Sequence, residues 1–461
     1  MHAVIQRAAK ALPVFCVAAG QYAAWLKQQP APTRNGLIGL KGDPGAFRQL
    51  PDAQGKPGKV VAVTHDIPDI WDLAALPLGL PEGNYRLADA LPPEQTTMLA
   101  LGWELGAYQF TRYKNPSRQP AKLLWPEGAD RAYATAVAVA VNRGRDLINT
   151  PAEDMGPQEL AAAVREVGKV YGAQLHEIVG DKLLKENYPL LHAVGRASHR
   201  PPRLVELRWG KPRDPLVVLV GKGVCFDTGG LDLKPSSAMY LMKKDMGGAA
   251  TALAVAEMVM ALRLPVRLRL LIPTVENAVS GNAYRPSDVY RARNGLSVEI
   301  GNTDAEGRLI LADALAAAVE GEKPTCLIDF ATLTGAARTA LGTELPALFA
   351  NDDALAEALQ AAGRVQKDPM WRMPLVREYK TQLQTRIADL NSAPNSPYAG
   401  AITAALFLEH FVGKTPWAHI DLMGWHLSGK PGRPEGGEPM TARAVLAMLT
   451  DRFGKKARAQ K

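Results

Sequence analysis

The stretch "LVVLVGKGVCFDTGGLDLKPSSAMYLMKKDMGGAATALAVAEMVMALRLPVRLRLLIP", residues 216–273, decides the fold. It opens on "LVVLVG" (Leu216–Gly221), a short continuous apolar run of the kind a strand buried on both faces shows. A polar, glycine-rich segment follows, then "GAATALAVAEMVMALRL", which has helical length and composition, and then a second apolar run, "VRLRLLIP" (Val266–Pro273). The alternation continues through the helix "RLILADALAAAVEG" and the strands "CLIDFA" (Cys326–Ala331) and "AHIDLMG" (Ala418–Gly424). Strands alternating with helices predict an α/β fold whose mainly parallel central sheet is flanked by helices, with ligands gathered at the carboxyl ends of the strands.

The pattern changes N-terminal to Pro151. Residues 1–128 mix short apolar runs such as "KVVAVTH" with loops rich in Pro and Gly such as "PAPTRNGLIGLKGDPG", and read as a small N-terminal α/β domain without a chemical motif. "RAYATAVAVAVNRGRDLIN" (Arg131–Asn149) reads as an Ala-rich helix stopped by Thr150 and Pro151. It places a linking helix at 129–150 and leaves 151–461 as the larger domain. Near the N-terminus "PVFCVA" reads as a buried strand, although Arg7 and Lys10 ahead of it imitate the charged region of a signal peptide.

A chain of 461 residues, 47% apolar and 22% charged, can bury a sizeable core. Its formal charge of +8 owes much to Arg452, Lys455, Lys456, Arg458 and Lys461 in a short C-terminal tail expected to be frayed and solvated. No basic repeat interleaves with aromatics, which argues against nucleic acid as a partner. Glu257 and Arg263 interrupt the apolar run Gly248–Leu264, so no membrane span is expected. Cys16, Cys225 and Cys326 are odd in number and show no CxxC spacing, which fits a reducing, cytoplasmic setting.

Two segments carry chemistry. "GKGVCFDTGGLDLKPSSAMYLMKKDMGG" (Gly221–Gly248) starts where a strand ends and spreads Lys222, Asp227, Lys234 and Asp245 through chain in which backbone can approach a ligand. It lacks GxxxxGK[ST], and "GKGVCF" lacks the last glycine of GxGxxG, so a nucleotide loop is rejected. "NTDAEGRLILADAL" (Asn302–Leu315) taken alone is a helix start, with Thr303 and Glu306 spaced as a capping box. That leaves Asp304 and Arg308 unexplained. Gathered together, Asp227, Asp245, Asp304 and Glu306 would repel one another without cations, and a pair of divalent metals removes the objection. Histidines are few and none forms HxxxH, so an oxygen-rich site is expected rather than a histidine zinc cluster.

These two segments resemble the signature blocks of the leucyl aminopeptidase family, the cytosol aminopeptidases of peptidase family M17. Weaker similarity runs through "GRDLINTPAEDMGPQELA", "VENAVSGNAYRPSDV", "DFATLTGA" and "AGAITAALFLEHF". The resemblance implies that Lys222, Asp227, Asp245, Asp304 and Glu306 ligate two divalent ions, Mn²⁺ or Zn²⁺, with Asp227 and Glu306 bridging them. It implies that Lys234 polarises the scissile carbonyl and that Arg308 holds a bicarbonate ion. A salt bridge from Arg308 to Asp304 or Glu306 is the plain alternative. Met242, Thr332, Leu333 and Gly335 would line the pocket for a leucine-like first side chain. Peptide substrates with a free N-terminus, a homohexamer and a cytoplasmic location are likewise implied. A DNA-binding or recombination accessory role is the alternative function, and it predicts salt-sensitive binding that survives loss of the metal ligands. Cys225 stands where the family commonly has threonine. It is expected to pack as a small hydrophobe, a reactive thiol being the alternative.

Overall fold

The structure, a computed structural model, describes residues 3–116, 118–394 and 396–454. Of the basic tail, Lys455, Lys456, Arg458 and Lys461 lie outside the described residues, and Arg452 belongs to the helix Ala442–Phe453. The chain divides into two units, one of Met1–Asn142 with Ser428–Glu435, the other of Arg143–Leu427 with Gly436–Lys461. The division falls inside the helix Arg131–Asn149.

The first unit is built on strands β1 (Val4–Ile5), β2 (Leu12–Ala18), β3 (Phe47–Pro51), β4 (Pro57–Thr64), β5 (Asn84–Leu87) and β6 (Lys122–Leu124), in the order β1-β6-β5-β2-β4-β3. Only β3 runs antiparallel to its neighbour. The run "PVFCVA" lies in β2, inside this sheet, with Val14 fully buried. The helix Pro93–Gly106 turns Glu104 toward the first strand, where its carboxylate accepts the backbone N–H groups of Ala3 (3.1 Å) and Val4 (2.9 Å).

The second unit carries, in chain order, β7 (Gln174–Val179), β8 (Arg203–Trp209), β9 (Leu216–Gly221), β10 (Gly223–Asp227), β11 (Arg267–Asn277), β12 (Val289–Arg291), β13 (Ser297–Glu299), β14 (Cys326–Ala331), β15 (Ala347–Ala350), β16 (Trp371–Arg372), β17 (Leu390–Asn391) and β18 (Trp417–Asp421). The main sheet follows the order β16-β15-β18-β14-β9-β11-β8-β7, with β10 also paired to β11, and β12, β13 and β17 form a small separate sheet. At its centre β18, β14, β9 and β11 are mutually parallel. Strands β7 and β8 run against their neighbours, and β15 runs against β18 but parallel to β16.

Every residue of β9 and β14 is buried, as a strand covered on both faces requires. Val218 and Val220 of β9 pack in a cluster with Leu309, Ala312 and Ala316 of the helix Glu306–Val319. Gly221, of opposite parity, meets Ala249 of the helix Gly247–Ala261, whose Cα lies 2.6 Å from where a Cβ on Gly221 would be. Both helices are apolar nearly all round, which marks them as buried rather than surface helices. Close approach is steric necessity at Gly248, because a Cβ there would sit 2.1 Å from the carbonyl oxygen of Phe330.

Two local expectations fail. Residues 223–227, read as loop, form β10, which pairs with β11 in a register that skips Cys225 as a bulge does. The capping box is not formed: the helix begins at Glu306 with Ala305 as N-cap and no side-chain cap. Thr303 Oγ1 instead donates to Gly229 O (2.7 Å) and accepts from Asp232 N (2.8 Å), while Asp232 Oδ2 accepts Thr303 N (2.7 Å). Bonds to a distant loop outcompete the local cap, and they tie the Asp304 turn to the Asp227–Lys234 loop.

Candidate metal centre

Lys222 follows β9 and is held from both sides, donating its N–H to Phe330 O (2.9 Å) and accepting from Ala249 N (2.8 Å). Its side chain runs over the first turn of the helix Glu306–Val319. A Cβ on Gly307 would come within 2.5 Å of Lys222 Cε, so only glycine leaves that path open. The ammonium reaches Asp245 Oδ2 (2.7 Å) and Glu306 Oε1 (2.8 Å) and donates to Thr332 O (3.2 Å). Asp245 comes from the short turn Met242–Met246 ahead of the next helix, and its Oδ1 accepts from Thr332 Oγ1 (2.7 Å).

Asp227 ends β10. Its Oδ1 accepts from Gly229 N (2.9 Å) and Asn277 Nδ2 (2.8 Å), and its Oδ2 lies 2.9 Å from Lys234 Nζ. Lys234 also pairs with Asp304. Buried Asp227, Asp245 and Glu306 each present an oxygen within 4.8 Å of the others. Asp304 Oδ1, Asp245 Oδ2 and Glu306 Oε1 are buried without a well-formed hydrogen bond, the lysine ammonium groups being their close cations.

The charges respond to this crowding. Burial and then Asp227 push Glu306 up to about 8, and the same two causes push Asp304 up to about 6. Burial works against the charge of Lys222, yet Asp245, Glu306 and Asp227 outweigh it and hold the ammonium above the usual lysine range. Burial likewise opposes Lys234, and Asp227 and Asp304 reverse it. Asp245 is held low because Lys222 and Lys244 overcome its burial.

Arg308 is 7% exposed, and its Nη1 donates to Ser392 O (2.6 Å) while Nε has no partner. Burial pushes its guanidinium down to about 10, still charged at neutral pH. Among the described residues it makes no salt bridge, so the plain pairing with Asp304 or Glu306 is absent. Cys225 is buried, its Sγ 3.4 Å from Thr274 Oγ1, and burial pushes the thiol up to about 12. It packs as a small hydrophobe, and the reactive-thiol alternative loses its chemical basis because little thiolate is available.

A cavity of about 530 Å³ is lined by Lys222, Asp227, Lys234, Asp245, Asp304, Glu306 and Arg308, and by Met242, Thr332, Leu333 and Gly335. All of the sequence-derived candidates therefore meet in one place, at the carboxyl ends of β9, β10 and β14. Lys244 and Arg338 line it too and were not foreseen; burial pushes Lys244 down to about 8. Two supporting residues were also missed. Asn277, the last residue of β11, holds Asp227, and Asp421, the last of β18, accepts from Leu333 N (2.9 Å), Thr334 N (3.2 Å) and Thr334 Oγ1 (2.6 Å). Each stands at the carboxyl end of an observed strand, but the predicted strands end at Pro273 and Gly424, so the strand-end signal did not point to either residue.

The profile of the cytosol aminopeptidase family, catalytic domain, matches residues 142–449, and that of the M17 aminopeptidase N-terminal domain matches residues 12–126. A probable cytosol aminopeptidase of Geotalea uraniireducens (strain Rf4) is 39% identical over 373 residues, 77% of this chain and 75% of that protein. One from Chlamydia felis (strain Fe/C-56) is 47% identical over 332 residues, 69% and 66% of the two chains. Among solved structures, the cytosol aminopeptidase from Coxiella burnetii superposes with a TM-score of 0.92 at 46% identity, covering 98% of this chain and 99% of that one. The bottromycin maturation enzyme BotP in complex with Mn gives 0.85 at 33% identity, covering 95% and 99%. With the profile spanning most of its length and these relatives at its side, the chain belongs to the cytosol aminopeptidase family.

Proposed function

We propose that this chain removes leucine-sized N-terminal residues from peptides, using two divalent cations held by Lys222, Asp227, Asp245, Asp304 and Glu306. The carrying observation is the convergence of buried Asp227, Asp245 and Glu306 with their oxygens within 4.8 Å of one another, two of those carboxylates being left without a well-formed hydrogen bond at one oxygen. Such a set fits cations: mutual repulsion is removed and the orphaned oxygens gain partners. Lys222 fits as a ligand once its proton is displaced. Oxygen donors suit Mn²⁺, and the Mn complex of the similar BotP supports that choice, with Zn²⁺ the alternative. Cations bound here supply Lewis acidity and a water of lowered pKa.

The chain's own residues do the rest. Lys234, released from Asp227 and Asp304 when these engage cations, donates to the scissile carbonyl oxygen and stabilises the charge developing there. Arg308, anchored by Ser392 O, holds a bicarbonate ion as proton acceptor, and its unpartnered Nε and lack of a carboxylate partner fit an anion. Met242, Thr332, Leu333 and Gly335 receive the first side chain, and the free α-amino group is directed to the carboxylate-lined end. A cytoplasmic homohexamer is the setting the family likeness supports.

The test is hydrolysis of a leucine anilide by chelator-stripped protein with Mn²⁺ or Zn²⁺ restored, an N-acetylated anilide serving as control. Activity that returns with metal and spares the blocked substrate is expected. Metal-independent cleavage, or equal cleavage of the blocked substrate, overturns the reading.

A further inference from the structure

Two cations in the cavity have no part in the set above. Lys244 lies in the same turn as Met242 and Asp245, is 1% exposed, and lines the cavity beside Met242, Thr334 and Gly335. Its Nζ has no hydrogen-bond partner, and among the described residues it makes no salt bridge. A buried ammonium without a partner is rare because its lost hydration goes uncompensated. The two carboxylates whose charge bears on it are already engaged. Asp245 accepts from Thr332 Oγ1 and faces Lys222, and Asp421 accepts from Leu333 N, Thr334 N and Thr334 Oγ1.

Arg338, in the helix Gly335–Leu341, reaches the same wall. Its Nη2 lies 3.6 Å from where a Cβ on Gly335 would be, and among the described residues it too makes no salt bridge. Buried Lys244 and half-buried Arg338 thus bring two positive charges without a salt bridge among the described residues to the cavity that Thr334, Gly335 and the apolar Met242 and Leu333 also line.

We infer that the side-chain pocket recognises a carboxylate, so that peptides beginning with glutamate or aspartate are cleaved in preference to those beginning with leucine. The inference rests on the aminopeptidase reading and narrows its substrate class. A glutamate side chain lays its methylenes against Met242 and Leu333 and accepts charge-assisted hydrogen bonds from Lys244 and Arg338. A leucine side chain of similar size leaves both cations unpaired, the situation in which polar sites discriminate most strongly. The C-terminal carboxylate of a short peptide offers the same chemistry, and the test separates the two sources.

The experiment compares kcat/KM for glutamyl and leucyl p-nitroanilides, which have no C-terminal carboxylate, and for Leu-Gly against its amide. It uses the metal-loaded full chain, Lys244→Met and Arg338→Gln. The glutamyl anilide is expected to exceed the leucyl one at least about tenfold, and that ratio to fall about 10- to 100-fold in Lys244→Met. A general defect lowers both anilides together and leaves the ratio, and Arg338→Gln reads the same ratio independently if Lys244→Met folds poorly. In calorimetry free L-glutamate should bind more tightly than L-leucine, and the difference should vanish in the variants. A leucyl preference in the wild type, or a ratio unmoved in both variants, overturns the inference. So does an effect confined to Leu-Gly against its amide, which would assign the cations to a peptide C-terminus. Glutamate binding that persists while no anilide is cleaved upholds carboxylate recognition and overturns the aminopeptidase reading instead.

Discussion

Lys222 Nζ lies 2.8 Å from Glu306 Oε1, and both residues are almost wholly buried. The metal-free centre therefore holds positive charge as protons on Lys222, and Glu306, pushed up to about 8 by burial and by Asp227, binds a proton through the neutral range as well. Ligands serve only when deprotonated, so protons compete with the cation and affinity must rise with pH. Mn²⁺ binding to the stripped protein is expected to be at least about tenfold tighter at pH 8 than at pH 6, with protons released on binding. Calorimetry in buffers of different ionisation enthalpy measures both quantities. Binding that ignores pH and releases no proton would sink Lys222 and Glu306 as ligands.

Removing a ligand should differ from removing the carbonyl-polarising group. Asp304→Ala or Glu306→Ala is expected to abolish nearly all turnover and lower bound metal, with circular dichroism unchanged. Lys234→Ala should lower kcat about 100-fold while metal content stays full. Metal lost from Lys234→Ala would show that its charge holds the carboxylates together instead.

What the sequence made legible was whatever depended on neighbours in the chain. Leu216–Gly221 and Cys326–Ala331 are strands at both expected ends, because a buried central strand is mostly apolar and stops where polar chain begins; the one charge inside, Asp329, is buried against Trp417 Nε1 and His419 Nδ1. β10 was not legible: Gly223, Cys225 and Asp227 do not read as strand, and pairing with β11 makes them one. Thr303 shows the converse, since its local spacing fits a cap but its bonds go to Gly229 and Asp232. The acidic candidates were found by residue type and motif. Whether Lys244 or Arg308 has a partner is set by chain far away, and no local pattern records it.

Asn277 gives a test of positioning. Its Nδ2 donates to Asp227 Oδ1 (2.8 Å) and to Thr303 O (3.1 Å), and the latter keeps a second donor in Tyr284 Oη (2.5 Å). Asn277→Ala therefore frees Asp227 while the Asp304 turn stays tied. Metal affinity should fall about 10- to 100-fold, the usual effect of removing a group that orients a ligand. Calorimetric titration of Mn²⁺ reads this directly, and unchanged affinity would show that Gly229 N and Lys234 suffice to orient the carboxylate.

Asp313 separates stability from chemistry. In the helix Glu306–Val319 its carboxylate accepts three backbone N–H groups, from Leu190 (2.8 Å) and Leu191 (3.1 Å) at the start of the helix Pro189–Gly195 and from Arg293 (2.9 Å). Two of these are free amides of a first helical turn, which that helix does not cap itself. Asp313→Ala leaves all three donors without an acceptor and should destabilise the second unit by about 3 kcal/mol. Asp313→Asn keeps one acceptor oxygen but turns an amide N–H toward the remaining donors, so a smaller loss is expected. Thermal unfolding of the metal-loaded protein measures the effect, and turnover per folded molecule at low temperature should stay at the wild-type level because Asp313 does not line the cavity. A loss of turnover without a loss of stability would mean that these bonds position the helix bearing Glu306 and Arg308.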